Sequence, residues 1–299
     1  MQYPGEEQVS IAFRTAENGH EDKEALVLVD MILDNRTAGL INLNLTQQQL
    51  VSSAGSSPLF LNDYGSQNLY GVPKPDQSLE EVERLLLDQL ELIKVGEFED
   101  WIIPAIINDF KKNEKAGLEF NRARVDTMRQ SFIEGSDWAY HIAEINRMEQ
   151  LTKDDVVAVA NKYFGDDYVS VYRVDDQHVI PPVEKPQIDP VTIDPTRQSE
   201  FAANILAMPF DEIEPAFVEA DADYRVIEFA EGVDLYYAPN PLNDLFTFSI
   251  GVEVGTEENE KLGLSATLLD VAGTPTLSNE ELKKEMTKPY HQSVSLANP

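Results

Sequence analysis

The sequence contains no cysteine, so it excludes disulfides and thiolate metal sites, although this absence says nothing about the compartment. It also lacks long hydrophobic runs. No apolar stretch approaches the roughly 20 residues that a membrane-spanning helix needs, and we therefore predict no membrane span. The first residues, Met1–Glu7, show no basic stretch followed by an apolar one, so no signal peptide is visible.

Basic residues are scarce. The chain of 299 residues has 23 Lys and Arg against 54 Asp and Glu, which gives a formal net charge of −31. Such a field repels phosphate backbones, so we expect no nucleic-acid partner. It would attract cations or basic peptides, but the simpler interpretation is a solvated acidic surface that keeps the protein soluble.

Several catalytic patterns are also missing. There is no G-x-S-x-G, no P-loop and no G-x-G-x-x-G. The four histidines do not pair with one another at a metal-binding spacing; they are His20, His141, His178 and His291. The nearest approach is His141 with Glu144, an H-x-x-E in which Ile145 stands where a second His would be needed. We interpret it as chance, with His141 a surface or capping residue; the alternative is an incomplete zinc site.

The stretch from Ser78 to Phe164 predicts five consecutive helices. The first opens with a capping-box pattern, Ser78 to Glu81, and ends at Gly96. Its apolar residues recur at steps of three and four, which predicts one buried stripe: Leu79, Val82, Leu86, Leu90 and Ile93. The second spans about 100–115, and Pro104 makes it start late or kink.

The other three helices of the array show similar patterns. The third carries a predicted core stripe of Leu118, Val125, Met128 and Phe132, and it ends at Gly135. The fourth starts at Ser136 and is expected to bury Trp138, Ile142 and Ile145. The fifth starts at Thr152, with Asp155 three residues on, and ends at Gly165. We expect Trp101 and Trp138 to be core residues.

Strands flank this array. Gln8–Thr15 alternates apolar and polar residues, and Lys23–Asn35 reads as a buried helix. Residues 39–45 are ambiguous between helix and strand. Further strands are predicted at 48–53, 67–72 and 168–174. This order predicts an α+β fold with a mostly antiparallel sheet packed against a helical array.

The composition changes after residue 175. Five prolines interrupt a polar run, and this pattern predicts an extended linker. Part of the linker is expected to pack, because it contains Phe201, Ile205, Leu206 and Phe210. A second pattern follows, with a hairpin at 225–238, a strand at 245–254, a buried helix at 262–271 and an amphipathic helix at 280–286. Residues 288–299 show no pattern. We predict a lobe at 1–175, a hinge linker at 176–221 and a partial second α+β module at 222–299.

The order of several short motifs resembles the M16 metallopeptidases, the pitrilysin and insulinase family. The similarity spans roughly Val9–Val174. The motifs that carry it are Val72-Pro73-Lys74-Pro75, Ser78-Leu79-Glu80-Glu81-Val82-Glu83, Asn121-Arg122-Ala123-Arg124, Leu151-Thr152-Lys153-Asp154-Asp155-Val156 and Asn161-Lys162-Tyr163-Phe164. The resemblance is to the C-terminal, non-catalytic lobe of an M16 unit. The module after residue 222 resembles the opening of a second unit, with Glu231-Gly232-Val233 and Gly273-Thr274 at family positions.

The resemblance implies a zinc peptidase whose chemistry lies elsewhere. The family uses H-x-x-E-H on a helix, and that motif is absent here. Counted back from Gly273, the two ligand positions fall near Leu264 and Leu268 and the Glu position near Thr267. Leucines cannot ligate zinc, so this unit resembles the degenerate half of two-unit M16 enzymes. The resemblance places the catalytic lobe upstream of Met1.

We therefore expect no catalytic, metal-binding or cofactor-binding residue in this chain, and zinc only in the full-length family enzyme. The expected role is to shape a chamber for unfolded peptides beside a catalytic lobe, supplied in cis or in trans. The chain alone should be inactive. The alternative is a stand-alone scaffold or binding protein of the same fold. The polar loop Asn62–Gly65 is expected to be a hairpin connection rather than a chamber lining. Bacterial relatives are often periplasmic, but no targeting segment supports that location.

Overall fold

The computed structural model describes residues 5–176, 184–212, 214–251, 254–269 and 271–288. Contacts between residues group the chain into two units. The first comprises Met1–His178 and Leu245–Pro299, and the second comprises Val179–Asp244. The predicted division into a lobe, a linker and a partial second module stays a prediction.

A four-stranded antiparallel sheet forms the centre of the first unit. Its strands are β1 (Gln8–Thr15), β2 (Ser53–Phe60), β3 (Gly65–Val72) and β4 (Tyr168–Arg173), in the spatial order β2-β3-β1-β4. The alternation in β1 places Val9, Ile11 and Phe13 on a fully buried face. The strands predicted at 8–15, 67–72 and 168–174 are thus confirmed.

The helices of this region are α1 (Lys23–Leu33), α2 (Leu79–Lys94), α3 (Ile102–Gly117), α4 (Asn121–Glu134), α5 (Trp138–Ile142), α6 (Glu144–Met148) and α7 (Lys153–Tyr163). Helices α1, α2 and α7 pack against the sheet and cover its buried face. Phe13 of β1 meets Phe164, just after α7, edge to face at 5.2 Å between ring centroids. The predicted α+β class is confirmed.

The predicted helix starts and stops match the local chemistry. The Ser78 hydroxyl accepts a hydrogen bond from the Glu81 amide at 3.1 Å, and Thr152 forms a full capping box with Asp155. Gly96 follows α2 with a positive φ of 74°, as expected of a helix-ending glycine. The predicted stripe of α2 is buried throughout.

A glycine sets how closely α2 approaches the sheet. A Cβ at Gly71 in β3 would lie 2.4 Å from Cγ1 of Val82. No side chain larger than hydrogen fits there unless the helix moves away. The β3 backbone at Gly71 can therefore pack directly against the Val82 side chain of α2.

The strand predicted at 48–53 is wrong, and strand β2 was missed. Residues 48–52 form turns after a short π-helical segment, Asn42–Thr46, and Gln49 has a positive φ of 52°. β2 has the sequence SAGSSPLF, which is poor in strand formers. It pairs with β3 along its whole length, and Pro58 is tolerated because β2 is an edge strand.

The middle of the helical array also differs from the prediction. α3 begins at Ile102, so Pro104 lies in its first turn, where no backbone donor is needed. The predicted core stripe of α4 is wrong, because Leu118, Val125, Met128 and Phe132 are all exposed. The predicted fourth helix is two short helices, α5 and α6. Trp138 and Ile142 are exposed there, whereas Ile145 and Trp101 pack against the core.

The C-terminal part of the first unit contains α9 (Lys261–Leu269) and α10 (Asn279–Thr287). The amphipathic helix predicted at 280–286 is confirmed, and Ser278 and Glu281 form its capping box. The helix predicted at 262–271 exists but is not buried, since Leu264 and Leu268 are exposed. The described residues of the strand predicted at 245–254 contain no strand. Residues 289–299 of the unassigned tail lie outside the described residues.

The second unit contains α8 (Glu200–Leu206) and a hairpin of β5 (Arg225–Ala230) and β6 (Val233–Tyr237). The predicted hairpin is confirmed, with Gly232 at a positive φ of 74° in its turn. The expectation that the linker packs is wrong for its apolar residues, because Phe201, Ile205, Leu206 and Phe210 are exposed.

Helix α1 carries a buried carboxylate that joins it to the sheet. Asp30 accepts hydrogen bonds from Ser56 Oγ at 2.7 Å and from Gln67 Nε2 at 2.6 Å. Burial raises the pKa of Asp30 and outweighs the lowering by these two donors, and the nearby Asp34 raises it further. Gln67 Oε1 is buried without a hydrogen-bond partner. This network fixes α1 over β2 and β3.

A second buried carboxylate on α1 is paired. The side chain of Glu24 is only 4% exposed, and its Oε1 lies 2.9 Å from Nε of Arg147 on α6. The guanidinium also lies over the Tyr140 ring, 3.6 Å from its centroid. Arg147 therefore neutralises a carboxylate that could not otherwise stay in the core.

We predict that Asp30→Asn gains stability relative to the wild type as pH rises. The raised pKa means that folded Asp30 holds its proton better than the unfolded chain does. The stability that Asp30 contributes is therefore full below its ordinary pKa of 3.8 and is lost as pH rises through its folded-state pKa. Urea unfolding of both proteins at about pH 4 and about pH 7 measures this.

Asp155→Asn is the control variant, for which the pH dependence of stability should have the opposite sign. Hydrogen bonds from Thr152 lower the pKa of Asp155, so the stability it contributes is present above 3.8 and is lost as pH falls through its folded-state value. The deficit of this variant should shrink below about pH 4. A pH-independent difference between Asp30→Asn and the wild type would contradict the account of Asp30.

Arg147→Ala should lower the free energy of unfolding by about 3–5 kcal/mol, because it leaves Glu24 buried and unpaired. Glu24→Gln in the same chain should recover part of this loss, since it removes the charge. Arg129→Ala, at an exposed ion pair, should cost less than about 1 kcal/mol. Urea unfolding followed by circular dichroism measures all three, and equal effects of Arg147→Ala and Arg129→Ala would refute the pairing.

Candidate functional site

A cleft of about 300 Å³ opens where the start of α1 meets the C-terminal end of α4 and the helices α5 and α6. Polar and charged groups dominate its lining. The lining residues are Asn18, Gly19, Lys23, Glu134, Gly135, Ser136, Asp137, Tyr140, His141, Glu144 and Arg147.

The wall from α4 to α5 is shaped by local capping. Gly135 ends α4 in the left-handed conformation, with φ of 65°. Asp137 then starts α5, because its Oδ1 accepts hydrogen bonds from the amides of Ala139 at 2.9 Å and Tyr140 at 3.2 Å. This sharp reversal turns Tyr140 and His141 toward the start of α1.

Charges of both signs alternate around the cleft. Nζ of Lys23 lies 3.1 Å from Oε1 of Glu144, and Nδ1 of His141 lies 4.0 Å from Oε2 of Glu134. Burial raises the pKa of Glu134, but hydrogen bonds from Gln130 and Asn18 and the charges of Lys23 and His141 outweigh it, so the net shift is downward. Glu134 is therefore a carboxylate at neutral pH.

The two long cations of the lining are paired, since Lys23 pairs with Glu144 and Arg147 pairs with Glu24. The Ser136 hydroxyl in the lining donates to the Ser131 carbonyl at 3.3 Å. Within residues 5–176, 184–212, 214–251, 254–269 and 271–288, no group of three or more His, Cys, Asp or Glu side chains is placed to hold a metal ion.

His141 and Glu144 do line the same cleft, but they serve different partners. Glu144 pairs with Lys23, whereas His141 faces Glu134 and stacks on Trp138 at 6.0 Å between ring centroids. His20 accepts a hydrogen bond from the Asp22 amide at 3.0 Å, a local capping contact. His178 and His291 lie outside the described residues. That the chain carries no catalytic or metal site stays a prediction.

The positions counted back from Gly273 fall on α9. Leu264 and Leu268 are exposed, and Thr267 donates its hydroxyl hydrogen to the Gly263 carbonyl at 3.2 Å. These side chains do not fit a zinc ion, because two of the three offer no donor atom. A Cβ at Gly273 would lie 2.3 Å from the Leu277 carbonyl oxygen, so the turn that follows α9 requires glycine.

The loop Asn62–Gly65 is the connection between β2 and β3, as expected. The Leu61 amide donates to the Tyr64 carbonyl at 3.0 Å, and the Arg14 guanidinium lies 4.9 Å from the Tyr64 ring centroid. None of these residues lines the cleft.

Sequence reasoning missed most of the cleft. Lys23, Glu134 and Arg147 lie far apart in sequence and carry no shared motif. One usable signal was present: Glu24 and Asp30 lie on a largely apolar helix, and a buried carboxylate needs a cationic or hydrogen-bonding partner. The identity of the partner of Glu24, Arg147, is fixed only by the packing of α6 against α1.

The sequence of residues 4–110 matches the family model of the Peptidase M16 inactive domain. The matched range covers β1 through most of α3. It includes three of the four strands of the sheet, and two of the motifs on which the resemblance rests, Val72–Pro75 and Ser78–Glu83. No curated protein matches the chain.

Solved structures with the same fold include a protease from Helicobacter pylori, with a TM-score of 0.55 and 20% sequence identity. The match covers 58% of this chain and 42% of the length of that protease. The inactive peptidase domain of a predicted zinc protease from Bordetella parapertussis gives a TM-score of 0.51 at 16% identity, covering 62% of this chain and 97% of that domain.

The solved structures show the fold that this chain shares with them. The family match over residues 4–110 indicates the inactive domain type that the motif order also indicated. The resemblance of this chain to the inactive, C-terminal-type lobe of the M16 peptidase family is thereby confirmed.

Proposed function

We propose that this chain is the non-catalytic part of an M16-type zinc metalloendopeptidase and forms part of the wall of its peptide-binding chamber. The observation that carries the proposal is the match of residues 4–110 to the inactive domain of that family. Proteolysis would be the task of a separate H-x-x-E-H lobe, which would hold the zinc ion and activate the water.

Two features of the chain support an architectural role. The positions near Leu264, Thr267 and Leu268 offer no zinc ligand set, so the module around α9 would not supply a second metal site. The cleft between α1, the C-terminal end of α4, α5 and α6 is lined by paired charges and hydrogen-bonding groups, which suits contact with a peptide backbone.

The net charge of −31 favours basic peptides as the bound class. Surface charges of one sign raise the local concentration of oppositely charged ligands, and the effect weakens as salt screens it. Peptide capture by this chain should therefore be salt-sensitive and should prefer positive peptides.

The test pairs this chain with the M16 catalytic lobe encoded in the same genome. We expect the chain to raise the rate at which that lobe cleaves a quenched-fluorescent basic peptide, and to bind an uncleavable copy in fluorescence anisotropy. Glu134→Gln together with Asp137→Asn should weaken binding of the basic peptide; Asp126→Asn, outside the cleft, is the matched control.

No stimulation of the catalytic lobe combined with no peptide binding would overturn the proposal. Binding without stimulation would instead favour the stand-alone binding protein of the same fold. The stimulation and binding measurements therefore distinguish a chamber wall from an independent scaffold.

A further inference from the structure

The large apolar side chains of helix α4 face outward, whereas those of an ordinary surface helix face the protein core. The face that packs on the protein carries small residues: Ser131 is buried, and Ala123 and Thr127 are half-buried. The large apolar residues point the other way, and Phe132 is 86% exposed. A soluble helix normally places its apolar stripe inward, so this outward stripe indicates a surface that is covered by something else.

The exposed residues form one continuous stripe. Val125, Met128 and Phe132 follow one another at steps of three and four. At 3.6 residues per turn such positions stack along one face of a helix. The stripe is about 10 Å long, the length over which two turns of a partner helix could pack.

Arginines flank this stripe on both sides. Arg122 and Arg129 lie along one side, with side chains 93% and 61% exposed, and Arg124 lies on the other side. Asp126 stands between Arg122 and Arg129, at 3.6 Å and 3.2 Å, and Glu134 closes the helix. Three arginines against two carboxylates leave α4 with a net charge of +1 in a chain of net charge −31.

We propose that the α4 surface, made of Val125, Met128 and Phe132 with Arg122 and Arg129, docks an amphipathic helix of another polypeptide whose apolar stripe is flanked by acidic residues. The apolar stripe supplies the buried contact, and the arginines select acidic neighbours across the interface. This inference does not depend on the proposed function, because α4 lies outside residues 4–110.

Two other occupants fit less well. An anionic membrane surface would attract the arginines, but it would repel a chain of net charge −31. A second copy of this chain would bring two positive stripes together if it used the same surface, which opposes like charges across the contact. A helix with acidic flanks meets both the apolar and the electrostatic requirement.

The experiment uses two synthetic peptides of about 20 residues, long enough to form several helical turns. Both carry Leu at the a and d heptad positions; one has Glu at e and g, and its twin has Lys there. Each is labelled with fluorescein and titrated with the full chain in fluorescence anisotropy. We expect saturable binding of the Glu peptide and at least about tenfold weaker binding of the Lys peptide.

Variants then locate the interface. Phe132→Ser should weaken binding of the Glu peptide by about tenfold or more. Phe210→Ser, which removes an equally exposed Phe of the second unit, should leave it unchanged. Arg122→Glu with Arg129→Glu should reverse the preference, so that the Lys peptide binds better. Circular dichroism and the urea midpoint confirm that each variant stays folded.

Four results would overturn the proposal. The first is no saturable binding of the Glu peptide, and the second is equal loss of binding in Phe132→Ser and Phe210→Ser. The third is a concentration-dependent dimer in light scattering that Phe132→Ser abolishes, which would assign the surface to a second copy. The fourth is co-sedimentation with phosphatidylserine vesicles that Phe132→Ser abolishes, which would assign it to a lipid surface.

Discussion

Strand β1 is hydrogen-bonded on both sides, to β3 and to β4, and one of its faces is completely buried. A strand in this position must have its apolar side chains covered, because each fully buried Val, Ile or Phe contributes about 1.5–3 kcal/mol only when water is excluded. Helices α1, α2 and α7 supply that cover.

The helices that cover β1 also bring charged side chains into the interior. Helix α1 carries Glu24 and Asp30 on faces that the fold buries, and the two carboxylates are accommodated differently. Glu24 pairs with the Arg147 guanidinium, whereas Asp30 accepts hydrogen bonds from two neutral donors and has a raised pKa. Their geometric requirements fix the position of α6 and of the β2–β3 hairpin against α1. Apolar packing alone would leave these elements less uniquely placed.

The central strand, α2, α7 and their caps were predictable because one local pattern determined each of them. Strand β2 was not, since its Ser, Gly and Pro residues form a strand only beside β3. The stripe of α4 shows a different failure. Helical periodicity identified the residues that share a face, Val125, Met128 and Phe132, but which face turns inward depends on the neighbours of the helix. The cleft could not be predicted from the sequence for a third reason, because Lys23 and Glu134 meet only through tertiary packing.

The α+β lobe and the match of residues 4–110 support a domain of the Peptidase M16 inactive type. Enclosing a peptide beside a separate catalytic lobe is the function that we propose for it. The α4 surface would add a site for a helical partner outside the matched range. The most direct measurement is the hydrolysis of a quenched-fluorescent peptide by the purified chain with added Zn²⁺, before and after chelation. The account predicts no turnover in either condition, whereas robust turnover that a chelator abolishes would contradict it.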